Sequence, residues 1–344
     1  MKRNKKHSLQ ERTRFVTAIL FLLIFLPILC TILLSGKESF QLSREREMEQ
    51  LLATVTYKEI PDEVHMDMVC AQAVLVRSRI WLECEKAENE KEVYNKILGE
   101  NVEYERSHKI NKEKMMRCKE AVDETKGCML SYGGQVVEGP FCRASNGWTR
   151  GGKEVFGKDS YGWLVGVESK KDLDYKSDRR PVVFTEDELY EKITGRSEIE
   201  NLDAGALKEG FGQLNKEGLL DSFSIITEDS SGYAMEIEIG GIRMSGEAFR
   251  QALDLPSASF TFSKEGEEIL FTCRGTGHGM GMSQYGAEAM AKEGKDWREI
   301  LNYYFPNAQI IKKGKTEAAD TSVSLFFLTI FENIVYIFFF RQRY

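Results

Sequence analysis

The stretch from Val64 to Ile80 constrains the fold more than any other. Val64, Met68, Ala71 and Leu75 form one stripe at helical spacing, and Val69, Ala73, Val76 and Ile80 form a second. A helix apolar on most of its sides is stable only when other elements cover it. Pro61 suits the first turn of a helix, so the pattern predicts a helix from Pro61 to about Glu85. Gln72 and Arg77 then lie where little water reaches, and buried polar groups need partners. Glu59 is one candidate carboxylate for Arg77.

A second stretch, Gly275 to Ala287, is dense in special-purpose residues. Before it, Glu268 to Arg274 reads as a short apolar strand. After it, Ala287 to Lys292 reads as the start of a helix. The turn between them carries His278, Ser283, Gln284 and Tyr285. Its glycines allow positive φ and close backbone approach, which would present those side chains at an edge. The G-x-G-x-x-G spacing of a dinucleotide loop is not met. The chain has no G-x-S-x-G nucleophile elbow and no H-E-x-x-H pair, which weighs against a serine hydrolase and a zinc protease.

The 344 residues suffice for one large domain or two smaller ones. A net charge of -7 gives no basic footprint, so no nucleic-acid partner is expected. Residues 1–14 are rich in Lys and Arg and precede an apolar run from Phe15 to Leu34. That run is long enough to span a bilayer, with its positive flank in the cytoplasm. The expectation is a transmembrane anchor over 15–35 in the cytoplasmic membrane, making a single-pass protein with an extracytoplasmic domain. A cleaved signal peptide ending at the small residues Ser35 and Gly36 is the alternative. No C-x-x-C pair occurs, so a zinc ribbon is unsupported, and no metal or cofactor is expected. A Cys118–Cys128 disulfide stays open beside free buried thiols. Residues 321–340 are apolar and read either as a second span or as a non-native tail; Glu332 would be costly in a membrane.

Between the two stretches, 88–119 is charged, has helical character, and reads as a solvated face or loop. Strand character begins at Leu130. Residues 180–255 read as a β-rich lobe. Thr185 to Glu188 forms a capping box there, and a hairpin turns around Asp229 to Gly232. The predicted class is α+β: a mixed helix and strand domain with a β-rich accessory lobe, after an N-terminal transmembrane helix.

The run His278-Gly-Met-Gly-Met-Ser-Gln-Tyr-Gly-Ala287 continues through Met290-Ala291, Gly294 and Ile300 to Tyr304. Together with Glu59-Ile60-Pro61, Ala71-Gln72-Ala73 and Arg77, it closely resembles the stage II sporulation protein D family. The resemblance implies a catalytic domain over 45–312, with 180–255 as a variable lobe. It implies a lytic transglycosylase that cleaves the MurNAc–GlcNAc bond of peptide-stripped peptidoglycan strands and leaves 1,6-anhydro-MurNAc. The family acts during forespore engulfment, beside a cell-wall amidase and a membrane protein of the engulfment complex. The catalytic acid carries over to Glu59, although the neighbouring Asp62 and Glu63 depart from the family pattern. Gln72, Arg77, His278, Ser283, Gln284 and Tyr285 carry over as substrate-binding or orienting residues. Ser145, Gly147 and Thr149 match a further turn loosely, and Trp163 stands where a tyrosine is usual. Trp163 would line a sugar site or pack in the core. The rival reading is a non-catalytic wall-binding scaffold or amidase activator.

Overall fold

Apolar residues on nearly every side of one helix dictate the layout. The computed structural model describes residues 48–176, 181–195 and 218–312. A first helix, α1, covers 48–59. It leads into α2, Met66–Lys86, whose Met68 to Val76 run is buried almost without interruption. α3 (Glu90–Ser107) and α4 (Lys112–Glu124) follow, so the helical character of the charged stretch is realised and the loop alternative is not. α2 packs against α4, strand β1 (Cys128–Tyr132) and the helices Gln284–Lys292 and Trp297–Tyr304. This is the first core; Trp163, Leu301, Tyr304 and Phe305 close it.

The expected helix from Pro61 begins instead at Met66. Residues 60–64 form a loop, with Glu63 in the left-handed region at φ 54°. α4 holds this loop. Lys114 Nζ donates to the Ile60 carbonyl at 2.8 Å and pairs with Asp62 at 3.0 Å, while Arg117 donates to the Val64 carbonyl. The nitrogen of His65 closes the new helix start by accepting from Asp67 N–H at 3.3 Å.

β1 lies between β2 (Gln135–Val136) and β11 (Gln309–Lys312), with Leu130 opposite Ile310. A parallel pair, β3 (Phe141–Cys142) and β10 (Met282–Ser283), sets Ser283 beside Cys142. Two antiparallel sheets build the second core. One is β5 (Ser224–Glu228), β6 (Ala234–Ile239) and β7 (Ile242–Ser245). The other runs β4 (Val182–Thr185), β9 (Glu268–Cys273) and β8 (Phe260–Glu265). Phe223, Phe249, Phe260 and Phe271 pack at its centre, with the Phe223 and Phe249 rings 5.2 Å apart. Each such ring contributes roughly 1.5–3 kcal/mol by burial. The expected capping box forms: Glu188 accepts from Thr185 N–H at 3.0 Å, and Thr185 Oγ1 accepts from Glu188 N–H at 3.3 Å.

The domain is mixed α and β, but the transmembrane part of the expected architecture is corrected. Among the described residues no helix is long and apolar enough to cross a membrane. α2 has the length, 21 residues, yet Arg77, Arg79, Glu83 and Glu85 make it a helix for a protein core. The anchor expected over 15–35, the segment 1–14 and the tail over 321–340 lie outside the described residues. The single-pass membrane placement built on that anchor is withdrawn with it. Cys118 and Cys128 are free thiols. Burial pushes the Cys118 thiol up to about 11.

Candidate active site

Glu59 is the last residue of α1, so the chain presents its carboxyl at a helix end rather than at a helix start. The carboxyl is 19% exposed. Oε1 is paired with the Arg79 guanidinium, and Oε2 accepts from Gln72 Nε2 at 3.2 Å. Gln72 and Arg79 are seven residues apart on α2, close to two full turns, so both face Glu59. Arg77 points about 140° around the helix from Gln72.

Gln284 ties the glycine-rich bend to this carboxyl. Its Nε2 donates to the Glu59 carbonyl at 2.9 Å and to Gln72 Oε1 at 3.2 Å. Its Oε1 accepts from Arg143 Nη1 at 3.2 Å. The two stretches singled out in the sequence therefore meet through a pair of amides. The bend needs its glycines to arrive there. Gly279 has φ 76° and a Cβ on it would lie 2.4 Å from the Tyr233 ring. A Cβ on Gly281, at φ 70°, would lie 1.9 Å from the Pro140 carbonyl oxygen.

Arg77 does not pair with Glu59. It is 6% exposed and clasps Glu49, donating to both carboxylate oxygens at 3.0 and 2.8 Å. Its remaining bonds reach Thr125 Oγ1 at 3.3 Å and the carbonyls of Cys128 and Val122 at 3.2 and 3.0 Å. Arg77 fastens α1 to α4 and β1.

Ser145 and Ser283 turn inward to Asp172. Asp172 Oδ2 accepts from Ser145 N–H at 2.7 Å and from Ser145 Oγ at 2.5 Å. Oδ1 accepts from Ser283 Oγ at 2.7 Å. Burial pushes the Asp172 carboxyl above its ordinary value, against the pull of the hydrogen bonds from Ser145 and Ser283. Ser283 Oγ also accepts from Gly286 N–H at 3.1 Å and caps the helix that follows. Gly147, at φ 112°, donates to Ser145 Oγ at 3.2 Å, and Thr149 Oγ1 accepts from Val167 N–H at 2.9 Å. These residues shape the loop beside the bend.

Trp163 is 6% exposed and packs against Tyr161 and Phe305, so the core alternative describes its surroundings. Tyr285 is half-buried, edge-on to Tyr175 with ring centroids 5.1 Å apart. His278 Nδ1 accepts from Met280 N–H at 3.1 Å, which leaves the proton on Nε2. Burial depresses its titration, Glu247 opposes that, and Arg250 and Arg150 add to it. His278 lies toward the second core, where Arg150 Nη1 donates to its carbonyl at 3.4 Å. No hydrogen bond among the described residues joins it to Glu59.

Asp172 and Arg79 are the site residues that sequence reasoning missed. Asp172 closes a Ser169-x-x-Asp172 turn, its N–H donating to the Ser169 carbonyl, and nothing in that spacing marks it as a hub. Arg79 was marked by its spacing of seven from Gln72. Among the described residues no group of three His, Cys, Asp or Glu side chains is placed to hold a metal ion. A cavity of about 230 Å³ lies between the 60–64 loop and α4, lined by Ile60, Pro61, Val64, Lys114 and Arg117.

A family model described as stage II sporulation protein matches residues 36–132, a span that includes Glu59, Gln72 and Arg79 but not the bend. The chain is 33% identical over 201 residues to stage II sporulation protein D of Bacillus subtilis, covering 57% of this chain and 52% of that one. It is 30% identical over 194 residues to the Bacillus amyloliquefaciens protein of the same name, covering 55% and 49%. It is also 26% identical over 232 residues to the amidase enhancer of Bacillus subtilis, covering 55% and 32%. The chain thus spans about half the length, or less, of these curated relatives. The similarity to stage II sporulation protein D and to the amidase enhancer covers part of the chain and part of each relative.

Proposed function

We propose that this chain is a lytic transglycosylase of peptidoglycan, acting on the MurNAc–GlcNAc bond of peptide-stripped strands during sporulation, with Glu59 as its acid and base. The supporting observation is the Glu59 carboxyl, held by Arg79 and Gln72, with Gln284 of the glycine-rich bend bonded to Gln72 and to the Glu59 backbone carbonyl. Such a carboxyl can deliver a proton to the bridging oxygen as the bond from C1 to that oxygen breaks. The muramic acid's own 6-hydroxyl then adds to C1, and the carboxylate takes the hydroxyl proton. Atoms balance without water: one glycosidic bond is lost and one 1,6-anhydro ring is made. A single carboxylate suffices, where a hydrolase commonly uses two.

The pair with Arg79 sets a condition. A carboxyl that donates a proton cannot at the same moment be the anion beside a guanidinium. Substrate entry must part the two, and exclusion of water favours the neutral acid. The same pair also favours the second reading, a wall-binding scaffold or amidase activator in which Glu59 never leaves Arg79. In either role the working partners are glycan strands, a cell-wall amidase and a membrane protein of the engulfment complex. The deciding experiment incubates the protein with peptide-stripped glycan and reads anhydro-MurNAc ends by mass spectrometry. Anhydro ends that vanish in Glu59→Gln support the enzyme. A fully active Glu59→Gln protein rules Glu59 out, and a silent wild type supports the scaffold.

A further inference from the structure

Arg143 is a cation without a counter-charge at this site. It follows β3, and its carbonyl accepts from Tyr285 N–H at 3.0 Å while its Nη1 donates to Gln284 Oε1 at 3.2 Å. Backbone and side chain together clasp the start of the helix Gln284–Lys292. The residue is half-buried, and its guanidinium makes that one hydrogen bond and no ion pair among the described residues. Nearby carboxylates are already taken. Glu59 pairs with Arg79, Asp172 with serine hydroxyls, and Glu288 with Lys292 and the His65 N–H. A half-buried guanidinium with donors to spare and no carboxylate paired to it among the described residues fits an anionic group on the ligand.

A guanidinium has five donors in a planar fork that matches a carboxylate with two parallel bonds. Arg143 spends one donor on Gln284 and keeps the rest. Gln284 in turn touches both Gln72 and the Glu59 backbone, so a single amide separates the free cation from the residue that carries the candidate acid. The anion it meets therefore belongs to a sugar at, or next to, the reacting bond. On a muramic acid that group is the 3-O-lactyl carboxylate. It is a free anion when the stem peptide is gone and a neutral amide when the peptide is attached.

We infer that Arg143 binds the lactyl carboxylate of a muramic acid beside Glu59 and is the residue that selects peptide-stripped strands. This rests on the glycan reading above for the identity of the sugar. Charge recognition is measured apart from cleavage.

The test uses the full chain and two probes. One is a muramic-acid-containing oligomer with free lactyl carboxylates. The other is the same oligomer with those carboxylates converted to primary amides. Calorimetry gives Kd for each, and mass spectrometry counts anhydro ends. Wild type is expected to bind the carboxylate form roughly tenfold or more tightly than the amide, the scale of a charge-assisted hydrogen bond. Arg143→Gln should bind both forms alike and weakly, and Arg143→Lys should keep part of the preference. Thermal melts of both variants verify folding, while the two probes on wild type test the charge preference without any mutation. A wild type that binds both forms equally, or an Arg143→Gln protein that keeps the full preference, overturns the inference. A preference for the carboxylate with no anhydro ends leaves carboxylate recognition standing and sinks the cleavage reading. Anhydro ends produced equally from both forms do the reverse.

Discussion

Arg77 and Arg79 stand two residues apart on α2 and end in opposite kinds of site. Arg77 is sealed among Glu49, Thr125, Val122 and Cys128, with its partners all drawn from the protein. Arg79 is 32% exposed and pairs with Glu59 and, at 3.8 Å, with Glu83 one turn on, beside a cluster of amides and a spare cation. Rotation about the helix decides between them, since chemistry and neighbours in sequence are nearly shared. A closed junction holds segments together; an open one has donors left for a ligand. Asp172 is a second closed junction, joining the Ser145 loop to the bend at Ser283.

The contrast breaks most visibly at Arg77. Arg77→Ala leaves Glu49 without its partner and strips buried carbonyls of donors. Breaking a buried pair in this way costs about 3–5 kcal/mol. Chemical denaturation should show that loss, with activity falling only as far as folding does. Arg79→Ala should cost under about 1 kcal/mol, as for other solvent-accessible pairs. It should change cleavage or glycan binding instead. Equal losses of stability from both substitutions would erase the distinction between the faces.

Asp172 comes next in size. Asp172→Ala orphans the hydroxyls of Ser145 and Ser283, and unsatisfied buried groups cost about 1–3 kcal/mol each. A melting temperature within error of wild type would show that the bend does not depend on this hub. Arg79 and Asp172 together mark what sequence could and could not reveal. The buried helix was legible because its apolar stripes repeat at helical spacing. Glu59, Gln72 and Gln284 stand in the two motifs that the sequence singles out, although their meeting through amides needs the fold. Arg77 does not pair with Glu59 because the helical angle turns it about 140° away from Gln72, toward Glu49. The helix start at Met66 was hidden because Lys114 and Arg117, some fifty residues on, hold the 60–64 loop open. Trp163 left a sugar site and the core both open in sequence, because its partner Phe305 lies far along the chain.

The smallest effect separates the bend's two ends. Gln284 belongs to the open junction, while His278 is half-buried in the field of Glu247, Arg250 and Arg150, with its Nδ1 bonded to Met280 N–H. Burial holds the imidazole neutral below its ordinary value of 6.5. As pH falls through 6.5 the unfolded chain gains a proton that the folded chain does not, so acid erodes stability. The erosion stops once the folded imidazole also titrates. Asp172, shifted upward, works in the opposite sense: its folded form keeps a proton that the unfolded form has lost, so stability falls as pH rises above 3.8. His278→Gln should therefore flatten the stability curve just below 6.5 and leave the contribution of Asp172 intact. Melting temperatures of variant and wild type, taken in parallel from pH 7.5 to 5, measure the difference. An unchanged slope would mean that His278 exchanges protons freely in the fold, and the closed end of the bend would have to be counted as open.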